Sequence, residues 1–241
     1  MTEPYVLHLE GPGKNALSSK LMERILAGLD EAGGRPVLVV GAGDAFSAGL
    51  DLREVASLDA PRMRTFLGLL ERCMTALYLY PGPTVAALNG HAIAGGCVVT
   101  LCCDHRLVLD APRLRVGLNE VALGVRFPPR IMAIVKQRVP LRHLSEVVLG
   151  AGLFAPVEAV RLGLVDEVVP AVEGGVEAMA RKRLEALARH PAKGYALAKL
   201  DLRGTAESLC PSEVHGPALT EACALWTSAE VKERLAAVLA R

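Results

Sequence analysis

Along the chain, short apolar runs alternate with stretches whose apolar residues recur every three or four positions. Residues 5–10 (YVLHLE) and 36–40 (PVLVV) read as strands, the second apolar throughout and so expected to be covered on both faces. Between them Leu21, Ile25 and Leu29, joined by Met22 and Leu26, form a helical stripe. Ser18 or Ser19 can cap that helix and Gly33-Gly34 can end it. Residues 61–80 carry the helical pattern until Pro81-Gly82-Pro83 breaks it, and TVAAL (84–88) reads as the next strand. A glycine-containing turn leads to a helix opening near Gly95, and further strands are expected at 105–110 and 113–118. From about residue 130 the pattern is helical apart from a short strand in VDEVV (165–169), with good helix formers over 173–203 and 212–240. The pattern predicts an α/β core over residues 1–190 and a helical C-terminal region over 191–241. It contains no repeat of fixed period and no low-complexity linker.

Composition narrows the function classes. A chain of 241 residues, 51% hydrophobic and 22% charged, can bury a substantial core as one large domain. Lys plus Arg (27) and Asp plus Glu (26) nearly cancel, which gives no global field for nucleic acid or an anionic membrane. Residues 84–103 carry no formal charge and are long enough for a membrane span. Asn89, Gly90, His91 and Gly95-Gly96 interrupt them, so a strand, turn and buried helix is the expected structure. The start, MTEPYVLHLEGPG, lacks the charged, apolar and small-residue succession of a secretory signal, and a cytoplasmic location is expected. Six cysteines (73, 97, 102, 103, 210, 223) show no framework spacing and no C-x-x-C pair, so reduced thiols and no bound metal are expected.

Three segments bear on chemistry. In GAGDAFSAGLDL (41–52), a dinucleotide fingerprint would need glycine where Phe46 stands. AFSAG lacks the first glycine of a nucleophile elbow, and Ser47 stands too far past the end of the strand for a sharp strand-turn-helix. In NGHAIAGGCVV (89–99), Gly95 and Gly96 precede a helix. They either permit close packing or present free N–H groups, aided by the helix dipole, to an anion or a developing oxyanion. In GLNEVALGV (117–125), Glu120 lies among Leu118, Val121, Ala122 and Leu123. It is either a solvated loop carboxylate or a buried acid whose raised pKa suits proton transfer near neutral pH.

Six segments, in order, resemble the crotonase (enoyl-CoA hydratase/isomerase) superfamily: KNALS (14–18), FSAGLDL (46–52), NGHAIAGGC (89–97), GLNEVALG (117–124), LGLVDEVVP (162–170) and SAEVKERLAAVL (228–239). The resemblance implies an α/β spiral of repeated β-β-α units, a helical C-terminal oligomerisation region, and assembly as a homotrimer or a dimer of trimers. It implies an acyl-CoA thioester substrate, with no cofactor beyond the coenzyme A of that substrate. The amides of Leu50 and Gly95 would form the oxyanion hole. Lys14, Ala16, Ala48, Asp51, Gly96 and Val98 would contact substrate, Ala48 near the adenine end. Lys14 and Arg53 are candidates for phosphate contacts, Arg126 for the pocket mouth, His91 for the acyl pocket, and Asp104 for a structural role.

One departure selects among the family's reactions. Hydratases carry a first catalytic glutamate just after the glycine pair, where this chain has Val98, so only Glu120 matches a family acid. Orienting a water is a task for two acids, whereas moving a double bond from the 3- to the 2-position needs one base that also returns the proton. GLNE followed by LG resembles the delta-3,delta-2-enoyl-CoA isomerases, and VRFPPR (125–130) lacks the PGxGG run of hydratases. The expectation is an enoyl-CoA isomerase with Glu120 as proton shuttle. The alternatives are hydratase, acyl-CoA hydrolase or decarboxylase chemistry, or a non-catalytic acyl-CoA-binding subunit.

Overall fold

The computed structural model describes residues 3–171 and 175–240; residues 173 and 174, where a helix is expected to begin, lie outside them. Among the described residues, eight strands form two all-parallel sheets. The larger has the order β1 (Tyr5–Leu9), β2 (Val37–Gly41), β4 (Thr84–Leu88), β6 (His105–Leu109) and β8 (Glu167–Val169). The smaller has the order β3 (Ala45–Ser47), β5 (His91–Ile93) and β7 (Val116–Gly117). Each strand β2, β4 and β6 is followed by a short strand of the second sheet and then by helix, which is the expected spiral of β-β-α units.

The apolar run in β2 has the expected explanation. Val37 and Val39 point into one core cluster while Leu38 and Val40 point into another on the opposite face. Side chains alternate across a strand, so a sheet covered on both faces needs an apolar residue at every position. The main cluster lies under α2 (Ser19–Ala32), α4 (Ala60–Tyr78), α5 (Gly95–Cys102) and α7 (Pro129–Arg138); the smaller one lies under α10 (Gly175–Ala188). Ser18 caps α2 through its hydroxyl, and Gly33 ends the helix in the left-handed region. Residues 84–103 form a strand, a turn with β5, and the buried α5. No helix of the described residues is long and apolar enough to cross a membrane.

The strand expected at 113–118 is shorter than expected. Only Val116 and Gly117 pair with β5, because the chain turns at Pro112 and Arg113 and the Arg115 guanidinium bonds the Pro112 and Leu114 carbonyls.

The C-terminal helices α11 (Ala192–Arg203), α12 (Ala206–Leu209), α13 (Ser212–Trp226) and α14 (Ala229–Leu239) fold back on the same chain. Here α13 packs on α4 and α7, while α14 packs on α3 (Leu52–Ser57) and α6 (Glu120–Leu123). Leu219, Ala222, Trp226, Val231 and Leu235 join the main core cluster, so this region shares one core with the sheet. A buried carboxylate fixes the docking. Glu71 of α4 accepts the Arg130 amide at 2.8 Å, at the start of α7, and lies 2.6 Å from His215 Nε2 of α13.

Candidate active site

Strand β3 and the turn before it are held by a residue that the sequence reading did not single out. Asn15 is buried, and its Nδ2 donates to the Ala42 and Ala45 carbonyls, each at 2.8 Å. Its carbonyl accepts the Ser47 hydroxyl at 2.8 Å, so Ser47 is tied down instead of standing free as a nucleophile. Gly13, Lys14 and Asn15 all adopt left-handed φ values of 59–63°, which wraps the segment around that turn. A run of three such residues is costly outside glycine and asparagine, and Asn15 is the type that tolerates it best.

Leu17 then sets the direction of the Leu50 amide. The Leu17 amide donates to Gly49 O at 2.7 Å and the Asp51 amide donates to Leu17 O at 3.2 Å. In this parallel bridge the groups of residues 49 and 51 face Leu17, so the N–H of Leu50 faces the other side. On that side lies the start of α5. A Cβ on Gly95 would come within 3.3 Å of the Leu50 side chain, and one on Gly49 within 3.4 Å of the Gly95 nitrogen. Ala94, which precedes α5, has φ 49° and ψ −121°, a strained conformation for a residue with a side chain. It turns the chain so that its own amide bonds Gly117 O at 2.8 Å and the helix opens at Gly95. Among the described residues neither the Leu50 nor the Gly95 amide donates to another backbone group.

Leu50 and Gly95 both border a cavity of about 240 Å³, with Ala48, Val98 and Glu120 also in its wall. Glu120 is the first residue of α6 and is buried, with its Oε2 lacking any hydrogen-bond partner. Burial pushes the pKa of the Glu120 carboxyl up to about 7, with its own backbone N–H pulling weakly the other way. The rest of the wall is apolar except for Asn119, whose Oδ1 is likewise buried and unpartnered.

The other candidate residues lie outside this wall. Gly96 faces β3: a Cβ there would fall 2.3 Å from Ser47 O, so close packing fixes its identity. Asp51 caps α3 through the amides of Arg53 and Glu54, and Lys14 forms an exposed pair with Asp44 at 2.7 Å. Ala16 is buried, with its amide on Pro12 O. His91 accepts the Arg115 amide through Nδ1, and Arg126 pairs with Glu221 of α13. Asp104 has a structural place, as expected, receiving Lys199 and Tyr195 on Oδ2 and Arg203 on Oδ1. The sequence reading also missed Trp226 and Val238, which enter the cavity wall from α13 and α14. Their helical spacing looks like ordinary core packing, so no local signal marks them.

Residues 5–219 match the family described as enoyl-CoA hydratase/isomerase. The mitochondrial enoyl-CoA delta isomerase 1 of Mus musculus is 32% identical over 170 residues, covering 68% of this chain and 59% of that protein. The chain therefore matches less than two thirds of that relative's length. A protein of Thermus thermophilus named as an enoyl-CoA hydratase is 36% identical over 174 residues, covering 68% of this chain and 67% of that one. The crystal structure of human mitochondrial delta3-delta2-enoyl-CoA isomerase superposes with a TM-score of 0.91 at 27% identity, covering 99% of this chain and 93% of that one. With a matching fold, six motifs in order and a family match over most of its length, the chain belongs to the enoyl-CoA hydratase/isomerase family, crotonase superfamily.

Proposed function

We propose that the protein moves the double bond of a 3-enoyl-CoA thioester to the 2-position, with Glu120 as the only proton carrier. The observation that carries this reading is, among the described residues, a single carboxylate buried with an unpartnered oxygen in an apolar cavity bordered by Leu50 and Gly95, whose amides have no backbone acceptor. The thioester oxygen accepts from the Leu50 and Gly95 amides. Ionised Glu120 removes a proton from C2, and the electron pair moves into the C1–C2 bond, pushing charge onto the thioester oxygen to give a dienolate conjugated with the C3–C4 double bond. Glu120 returns the same proton to C4, which leaves the double bond between C2 and C3, so atoms and charge balance over the cycle. Amides fixed in place before charge develops can each contribute about a hundredfold or more in rate. A carboxyl with a pKa near 7 can both take and return a proton. Val98 presents hydrocarbon at the family's other acid position, which keeps water from the dienolate.

The reaction needs no cofactor beyond the coenzyme A of the substrate. A homotrimer or a dimer of trimers in the cytoplasm belongs to the same proposal, and light scattering on purified protein reads the assembly. One observation favours a second reading, hydration of 2-enoyl-CoA: Asn119 Oδ1 gives the cavity a second unpartnered acceptor, as a bound water would require. Parallel assays of 2-enoyl- and 3-enoyl-CoA separate the two. The isomerase reading expects turnover of the 3-enoyl thioester that Glu120→Gln abolishes. It is rejected if that variant turns over normally, or if only the 2-enoyl substrate reacts and gives a hydroxyacyl product.

A further inference from the structure

The cavity has a functional side and an anonymous side. Leu50, Gly95 and Glu120 occupy the first; the second is hydrocarbon and aromatic, including Leu70, Phe127, Ile131 and Trp226. A thioester held by the two amides has to place the remainder of its acyl chain against that second side. Among the described residues Glu120 is the only one of charged type in the wall, so a tail bearing a second carboxylate would be buried there without a partner, at substantial cost.

Trp226 is the largest side chain of the wall and the only tryptophan of the sequence. It is buried, and its Nε1–H is spent on the Arg126 carbonyl at 2.8 Å, which locks the indole between the end of α13 and the loop before α7. The family match ends at residue 219, so Trp226 and Val238 belong to the part of the chain beyond it. Atoms proposed for the chemistry come from the matched part, while part of the enclosing wall does not.

We infer that Trp226 is a specificity-determining residue, a rigid stop that sets an upper limit on the length of an uncharged acyl chain. The inference rests on the acyl-thioester reading above but not on the identity of the reaction. Its test uses a series of 3-enoyl-CoA and saturated acyl-CoA esters from four to sixteen carbons, with free coenzyme A as control, on the wild-type, Trp226→Ala and Trp226→Phe proteins. In the wild type, kcat/KM and affinity rise through the short members and fall by about tenfold or more once the chain meets the indole. Trp226→Ala moves that fall to longer chains and weakens binding of short ones, with Trp226→Phe between. Emission of the wild-type tryptophan changes with acyl-CoA and not with coenzyme A alone. The inference is overturned if the chain-length limit is the same in either folded variant, or if wild-type emission ignores the acyl chain. Should Trp226→Ala fail to fold, Trp226→Phe and the wild-type emission still decide it. A chain-length limit in saturated-ester binding without turnover would reject the isomerase and leave the stop standing, whereas turnover with an unmoved limit would do the reverse.

Discussion

Helix α5 ends in two opposite ways. At its start Gly95 offers an amide that no backbone acceptor takes among the described residues, beside the unpartnered Glu120. At its finish the carbonyls of Leu101, Cys102 and Cys103 accept from Arg138 and Arg203, and Asp104 accepts from Lys199, Arg203, Tyr195 and the Thr84 amide. Two carboxylates in the same protein thus live under opposite rules. Asp104 has its charge answered by Lys199 and Arg203, and Arg203 also quenches the helix C-terminus, as the dipole favours. Glu120 is met by no cation among the described residues, and burial lifts its pKa to about 7, so its proton is easily exchanged near neutral pH. The saturated end holds the fold together, and the unsaturated end is left free for a ligand.

Exchanging the two ends' properties by mutation is the sharpest way to break this comparison. The largest effect is expected at Glu120. Replacement by Gln should lower isomerase turnover by about 10²–10⁴-fold while saturated acyl-CoA still binds, as read by steady-state kinetics and titration. The same variant should gain stability at high pH. A carboxyl raised from 4.5 to about 7 costs nothing below pH 4.5, where it is protonated in both states, and costs most above pH 7. Urea unfolding should therefore show Glu120→Gln more stable by roughly 3 kcal/mol at pH 8 and equal to wild type near pH 4. For the same reason wild-type turnover should rise with pH through about 7 and then level off, since the base must start ionised.

Asp104 should behave in the reverse sense. Asp104→Ala leaves Lys199 and Arg203 buried without their carboxylate and should cost about 3–5 kcal/mol in unfolding experiments. Whatever protein remains folded should keep its kcat; a kcat loss as deep as that of Glu120→Gln would erase the distinction between the two ends. A smaller effect is expected at Ala94. Glycine there removes the strain of φ 49° and should stabilise the fold by about 1 kcal/mol while lowering kcat, because the turn that aims the Gly95 amide loosens. Unfolding and steady-state kinetics on Ala94→Gly read both changes.

Much of this was legible in the residues. The apolar run of β2, the interruptions in 84–103, the glycine pair and the acid at 120 are local patterns with local causes, and each stands in the structure as an element or an element boundary. The glycine pair shows where legibility stops. Gly95 and Gly96 look equivalent in sequence, yet Gly95 borders the cavity while Gly96 is held against Ser47 O. Glu120 is ambiguous in sequence for the same reason, because its burial is made by residues distant in the chain. Asn15, Trp226 and Val238 carry no signal, since what they do depends on partners distant in the chain, 100 residues away in the Trp226 bond to Arg126.

The sequence by itself determined the succession of strands and helices, the family pattern, and the single acid where hydratases place two. Those follow from periodicity, turn chemistry and residue identity, which act over a few neighbours. Only the tertiary structure decided which amides stay free, that Glu120 is dry, and that the C-terminal helices close the cavity. Solvent exclusion and hydrogen-bond satisfaction are properties of the packed whole, and no window of sequence contains them.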